Sequence, residues 1–353
     1  MIPHSVLQAY NMLDAKVSAL GTGLINDTFL VVEHPKLKGA AKTSIVMQRL
    51  HPIFDGGVNT DLDVVTRHLA QQGLTTPLLV RTQKNEQFVD DDDDRMWRAL
   101  SFVDGKATDV LQDSEHAFEA GKLVAHFHNA ISTLPHDIYE KKSRAVHDTQ
   151  RHLKALVSTL LEYGVTEKTN PFFAEVQSIS TPLLMDAALL PDISRTPLRH
   201  AHGDLKVSNL LFDDDRKSVC LVDLDTLYPM CWAHEMGDAL RSWCNPAGED
   251  ADEVLFSTSF FEAAMEGYFS ESGIRDVITA EERSFLVDGV ATICLELCAR
   301  FLTDTLEGNY FGWDEKRFPN RNAHNLHRAK GQWALYLDVK RKSHELKEFM
   351  GIL

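Results

Sequence analysis

The sequence is short of several things, and each shortage excludes something. Among 353 residues there are five cysteines, Cys220, Cys231, Cys244, Cys294 and Cys298. The number is odd and no CxxC pair occurs, so no disulfide framework is expected and the thiols are read as reduced, as in a cytoplasm. Cys294 and Cys298 lie four apart in an apolar helical pattern; with no His nearby they read as core rather than as a zinc site. No run of about 18 apolar residues is present, so no membrane-spanning helix is expected. The first residues, MIPHSVLQAYNML, lack a basic start followed by an apolar core, which predicts no secretory leader. Positive charge is in deficit: 36 basic against 52 acidic side chains leave a net charge of −16. A surface of that sign suits neither nucleic acid nor an anionic membrane. An anionic ligand held in a local pocket stays open. No fixed-period repeat or low-complexity tract occurs.

What is present is a chain that is 44% hydrophobic, long for one domain and short for three, so two lobes are expected. The first hundred residues predict strands with one helix. TFLVVE (28–33), SIVMQRL, PLLV (77–80), EQFV (86–89) and MWRALSFV (96–103) are rich in β-branched and apolar residues. LDVVTRHLAQQG (62–73) has helical spacing and a Gly stop. Asp90 to Asp94 read as a solvated hairpin turn, with metal binding as the other reading. After VDGKA (103–107) helices dominate: 114–131, 151–164, 172–190, 251–269, 280–306 and about 322–347. The fold class is α+β, a small β-rich lobe (1–104), a hinge near Val103–Gly105 and a larger helical lobe (105–353). A cleft between such lobes is a natural ligand site.

Chemistry concentrates in HGDLKVSNLLF (202–212) and LVDLDTL (221–227). Asp204 follows a glycine between two strand-like segments, where a backbone-held carboxylate can orient a hydroxyl and accept its proton. Asn209 adds an amide oxygen and Asp223 a carboxylate at the next strand's end. Such oxygen donors suit Mg²⁺, which takes its remaining ligands from water and substrate phosphates. A base Asp, an Asn and a metal-binding Asp are what kinase-like phosphoryl transfer requires.

The combined pattern H-G-D-L-K-x-x-N-L-L-F, then L-V-D-L-D, resembles the catalytic signature of the aminoglycoside phosphotransferase/choline kinase superfamily. That resemblance implies a two-lobed protein-kinase-like fold and transfer of the γ-phosphoryl group of ATP, with Mg²⁺, to a small-molecule hydroxyl. It implies Asp204 as catalytic base, Asn209 and Asp223 as metal ligands, Asp225 as a second acidic position, and His202 and Asp238 (in EMGDALR) as supports. Lys206 either touches the γ-phosphate or is solvated. In the first lobe, the GTGLINDTFLV turn (21–31) implies nucleotide contacts from Gly21, Gly23, Asn26 and Thr28, with Phe102 and Val103 at the hinge; an ordinary hairpin turn is the other reading. One feature departs from the kinase pattern: Gln48 stands where a strand Lys grips the α/β-phosphates. Arg49 faces the other side of a regular strand, and Asp63 stands where the helix Glu pairs with that Lys.

Within the superfamily the chain is most similar to N-acetylhexosamine 1-kinase-like sugar kinases, over GLINDTFLV, VMQRLHPIF (46–54), the catalytic core and LELCARFLTDTLEGNYF (295–311). In that subgroup the strand position also carries Gln. The resemblance implies that Glu296, Arg300 and Asp304, on one helix face, meet a sugar whose anomeric hydroxyl is phosphorylated; an internal ion-pair ladder is the other reading. His324 and Asn325 are further candidates. Aminoglycoside, choline/ethanolamine or homoserine acceptors remain alternatives, and Trp232, Trp243, Tyr310 and Trp313 are read either as a cage for a cation or as packing. Two rivals from other classes stand beside the kinase reading. HAHGD partly imitates HxHxDH of dinuclear metallohydrolases, but Leu205 replaces the final His. A catalytically silent binding module would explain the missing Lys, but not the intact Asp204, Asn209 and Asp223.

Overall fold

The computed structural model describes residues 1–21, 26–32, 44–140, 146–165 and 170–352. The chain forms two compact units. One comprises Met1–Gly105 with Ala130–Arg144; the other comprises Lys106–Asn129 with Ala145–Leu353.

The first unit contains α1 (His4–Ala9), β1 (Lys16–Ala19), β2 (Asp27–Val32), β3 (Ser44–Arg49), α2 (Gly57–Gln71), β4 (Leu79–Val80), β5 (Val89–Asp90) and β6 (Met96–Ser101). Its antiparallel sheet has the order β1-β2-β3-β6-β4, with β5 also paired to β6. Side chains alternate between the faces. Val31, Ile45, Met47, Trp97 and Ala99 join Ile2, Val6, Tyr10 and Met12 in one apolar cluster. The opposite face therefore carries Thr28, Gln48 and Arg98, aligned as cross-strand partners on β2, β3 and β6. PLLV and EQFV shorten to two-residue pairings, and α1 and β1, six and four residues long, were too short to show a period. The aspartate run turns the hairpin before β6. There Asp91 accepts the backbone N–H of Asp93 and Arg95 at 3.0 Å each and the Trp97 indole N–H at 2.7 Å.

The second unit takes in α3 (Ser114–Ile131, whose last two residues fall in the first unit), α4 (Thr149–Val165), α5 (Phe173–Ala187), β7 (Arg199–Ala201), β8 (Leu210–Phe212), β9 (Ser218–Leu221), β10 (Tyr228–Met230), α6 (Trp232–Trp243), α7 (Thr258–Ser270), α8 (Ser272–Val277), α9 (Ala280–Ser284), α10 (Leu286–Glu307) and α11 (Arg321–Phe349). The expected 280–306 helix is thus two helices that break at Phe285, and α7 begins seven residues later than expected. α10 is apolar on nearly every face and packs against α11, α6, α4 and α5. Its approach to α6 is close: a Cβ on Gly237 would sit 2.5 Å from Gly289 O, so only glycine permits the crossing. All five cysteines are buried and unpaired. Two antiparallel ribbons, β7 with β10 and β8 with β9, flank the loop that carries Asp204.

Candidate active site

Loop 202–209 runs from β7 into β8 and is held from behind by α6. Glu235, Asp238 and Ser242 share one face of that helix. Glu235 accepts the backbone N–H of His202 at 2.6 Å and of Gly203 at 2.9 Å, one on each oxygen. Asp238 accepts that of Leu205 at 3.0 Å, and Ser242 Oγ that of Val207 at 3.0 Å. Trp232 and Trp243, buried, donate their indole N–H groups to the carbonyls of His200 and Leu205. They brace the backbone, and the Trp232 ring faces the Arg199 guanidinium at 4.8 Å. Arg241 donates twice to Asp238 Oδ1, compensating its buried charge. Gly203 has φ +84°, and a Cβ there would lie 2.6 Å from Thr226 O, so glycine is required. His202 bonds Val222 O at 3.0 Å, tying this loop to the segment that carries Asp223.

Asp204 is thereby presented on a fixed backbone. Its Oδ2 accepts from Lys206 Nζ at 2.6 Å. Burial pushes the Asp204 carboxyl up, and the Lys206 ammonium outweighs it, leaving the pKa below the usual carboxylate value. Lys206 is raised in turn: burial pushes it down, but Asp204 and Asp223 more than offset that. Asn209 donates its amide N–H to Asp204 O at 2.8 Å, which fixes the amide and leaves its oxygen at the opposite end. Asp223 has left-handed backbone, φ 62° and ψ 52°, a strained choice for a non-glycine residue. Burial, then the neighbouring Asp225 carboxylate, push its pKa up to about 6, with Lys206 opposing. A cation would favour the charged form of Asp223, and carboxylate and amide oxygens fit a hard divalent ion. Among the described residues no group of three or more His, Cys, Asp or Glu could hold a metal, so such an ion would need further ligands from phosphate and water.

A family model, the phosphotransferase enzyme family, matches residues 16–268, which include this loop and the brace behind it. The chain belongs to that family. It is a small-molecule phosphotransferase, an enzyme that transfers phosphate to a hydroxyl group. Solved structures share the protein-kinase-like fold. An aminoglycoside phosphotransferase from Alicyclobacillus acidocaldarius is 17% identical with a TM-score of 0.61, covering 98% of this chain and 97% of that one. The amicoumacin kinase hAmiN, in complex with AMP-PNP, Ca²⁺ and Ami, is 12% identical with a TM-score of 0.61, covering 93% and 91%. A microcompartment-associated aminopropanol kinase is 16% identical with a TM-score of 0.60, covering 97% of each chain.

In this phosphotransferase a second polar cluster lies behind the loop. The buried Glu296 of α10 accepts from His147 Nδ1 at 2.9 Å and from Thr149 Oγ1 at 2.7 Å, with Arg300 at 4.0 Å. His147 Nε2 lies 4.0 Å from Asp238 Oδ1, so Glu296 connects through His147 to the brace of the Asp204 loop. Burial pushes Glu296 up, and His147 outweighs it, bringing the carboxyl down to about 2. Asp304 is buried near the end of α10. It does not extend an ion-pair ladder; it accepts the backbone N–H of Asn309, Tyr310 and Phe311 and the Asn325 amide, so it closes the loop after α10. His324, bonded to Asp250 and stacked on Phe318, holds that same region. Arg300 lies over the rings of Phe311 (5.4 Å) and Tyr310 (5.9 Å).

Within the first unit, Gly21 has φ +74°, Asn26 accepts the His51 N–H at 2.9 Å, and Gly23 lies outside the described residues. Gln48 donates to Thr28 Oγ1 at 3.3 Å and accepts two N–H bonds from Arg98, at 2.7 and 3.0 Å. Arg49 turns to the other face and pairs with Asp27. Asp63 pairs with Arg67 and Arg81 rather than with Gln48. Phe102 and Val103 follow β6 without regular structure, and the Phe102 N–H reaches Ser44 O at 3.4 Å. Glu235, Ser242, Arg98 and His147 were missed by sequence reasoning. Only the EMGDALR segment pointed towards the first of them.

Proposed function

We propose that this enzyme transfers the γ-phosphoryl group of ATP, with Mg²⁺, to a sugar hydroxyl, the anomeric position of an N-acetylhexosamine-like sugar. Support for the chemistry comes chiefly from the Asp204 carboxylate, kept ionised beside Lys206 on a backbone that Glu235 and Asp238 hold from behind. Asp204 orients the acceptor hydroxyl and takes its proton as the bond from the acceptor oxygen to the γ-phosphorus forms and the bond from that phosphorus to the β,γ-bridging oxygen breaks, with ADP leaving. Lys206 keeps Asp204 unprotonated until then and would offer its ammonium to the phosphoryl oxygens. Asn209 and Asp223, with Asp225 behind, would hold the Mg²⁺, which offsets charge on the transferring group. Gly21, Gly23, Asn26, Thr28, Gln48, Phe102 and Val103 are the proposed nucleotide contacts. The AMP-PNP and Ca²⁺ of the amicoumacin kinase complex are in keeping with a nucleotide and a divalent ion.

The acceptor reading is supported by local charge. Glu296 is answered by His147, whose pKa is raised, and by Arg300, while Asp304 is committed to the loop after α10. A cationic acceptor wants uncompensated carboxylates; the Arg300 guanidinium beside Tyr310 and Phe311 is a donor that suits neutral hydroxyls. The test is an acceptor panel with ATP and Mg²⁺, read by phosphorus NMR. An acid-labile glycosyl phosphate supports the sugar 1-kinase reading. A phosphorylated aminoglycoside or amino alcohol overturns it.

A further inference from the structure

The strand position that carries a lysine in kinases is Gln48 here, an uncharged side chain with an acceptor end that would repel phosphate. The row Thr28–Gln48–Arg98 resolves this. Arg98 is 0% exposed, so it cannot touch a ligand itself, whereas Gln48 and Thr28 are half-buried. Arg98 Nε and Nη2 both donate to Gln48 Oε1, at 3.0 and 2.7 Å. That fork engages the acceptor end of the amide and fixes its orientation. An amide nitrogen carries two N–H donors. One reaches Thr28 Oγ1 at 3.3 Å, and among the described residues the other has no bond. The cation behind the carbonyl also polarises the amide, drawing density from its N–H groups.

We propose that Arg98 is a positioning residue for the nucleotide: it holds and polarises Gln48 so that the Gln48 amide, beside the Thr28 hydroxyl, donates to a phosphate oxygen in place of the missing strand lysine. This rests on the ATP-dependent reading above. The cation has moved one strand across the sheet, from β3 to β6, and acts through an intervening donor. Gln48 is then more than a neutral remnant of a lysine, and Lys206 need not replace that lysine alone.

The test is calorimetric titration of Mg·ATP into the parent chain and three folded variants. Arg98→Met should weaken binding at least tenfold. Gln48→Lys combined with Arg98→Met returns a single cation to β3 and should restore binding to within about threefold of the parent. Arg98→Met that is folded by circular dichroism yet binds Mg·ATP as the parent does would overturn the proposal. So would a double variant no better than Arg98→Met. If Arg98→Met does not fold, Gln48→Glu decides, because its carboxylate keeps a partner for Arg98 while removing the donor: weakening of tenfold or more supports the proposal, and unchanged binding overturns it. A parent that binds no nucleotide at all counts against the ATP-dependent reading instead, a result distinct from all of these.

Discussion

Lys206 folds back on Asp204: its ammonium nitrogen lies 2.6 Å from the carboxylate oxygen of the residue two positions earlier. The two form one unit, a carboxylate and the cation that holds its pKa down.

Asp204→Asn removes the proposed base without altering the shape of the loop, and turnover is expected to fall about 10²- to 10⁴-fold while Mg·ATP binding persists. Lys206→Met removes the main influence that lowers the Asp204 pKa, so that pKa rises. Activity that needs the ionised carboxylate is lost as pH falls through its pKa. The acidic limb of the kcat/KM profile should therefore move to higher pH. A limb that stays in place would show that Lys206 does not set the ionisation of Asp204.

Glu235→Gln tests the brace. A carboxylate serves two backbone N–H groups, one on each oxygen, whereas an amide turns a donor towards one of them. Leaving a buried donor unpaired costs about 1–3 kcal/mol, and each kcal/mol lowers the melting temperature of a large domain by about 2–4 °C. A melting temperature within 1 °C of the parent, by about the same scaling, would contradict this role.

Asp304→Asn separates two readings of one residue. If Asp304 closes the loop after α10, at least one of its three backbone donors loses its partner and stability falls by about 1–3 kcal/mol. Mg·ATP binding should be unaffected. An acceptor KM that rises tenfold with no change in melting temperature would instead put Asp304 against the substrate.

The His147–Glu296 pair predicts a pH window. Burial pushes His147 down and Glu296 outweighs it, so the folded pKa lies above the ordinary 6.5. Its stabilisation is complete below 6.5 and is lost as pH rises through the folded value. Glu296, at about 2 in the fold against an ordinary 4.5, stabilises above 4.5 and loses this as pH falls towards 2. The melting-temperature difference between the parent and His147→Gln should peak between about pH 4.5 and 6.5 and shrink on both sides. A difference flat across pH 4 to 9 would refute the pairing.

What the sequence disclosed divides by distance along the chain. Asp204 and Asn209 are five residues apart in one loop, and Asp223 follows the next strand, so their association is local and spacing alone reveals it. Glu235 reaches the same loop across 32 or 33 residues, and Trp243 across 38, which periodicity cannot anticipate. Helical spacing did place Asp304 on the face of Glu296 and Arg300. It gave no sign that residues 309–311 would fold over the helix end and take up the carboxylate. Arg98 was hidden for a related reason: the partner of Gln48 depends on strand register, a property of two segments 50 residues apart. The short α1 and β1 carried too few residues to declare a period.

The five buried thiols have a practical consequence. Burial alone pushes Cys220 up to about 12 and, with little relief from Arg241, Cys294 to about 12 as well. Neither forms the reactive thiolate near neutral pH, and the remaining three are equally enclosed. A cysteine introduced at any exposed position would thus be the one accessible thiol a maleimide dye meets on the native chain. Fluorescent or spin labels can be attached singly, with every natural cysteine left in place.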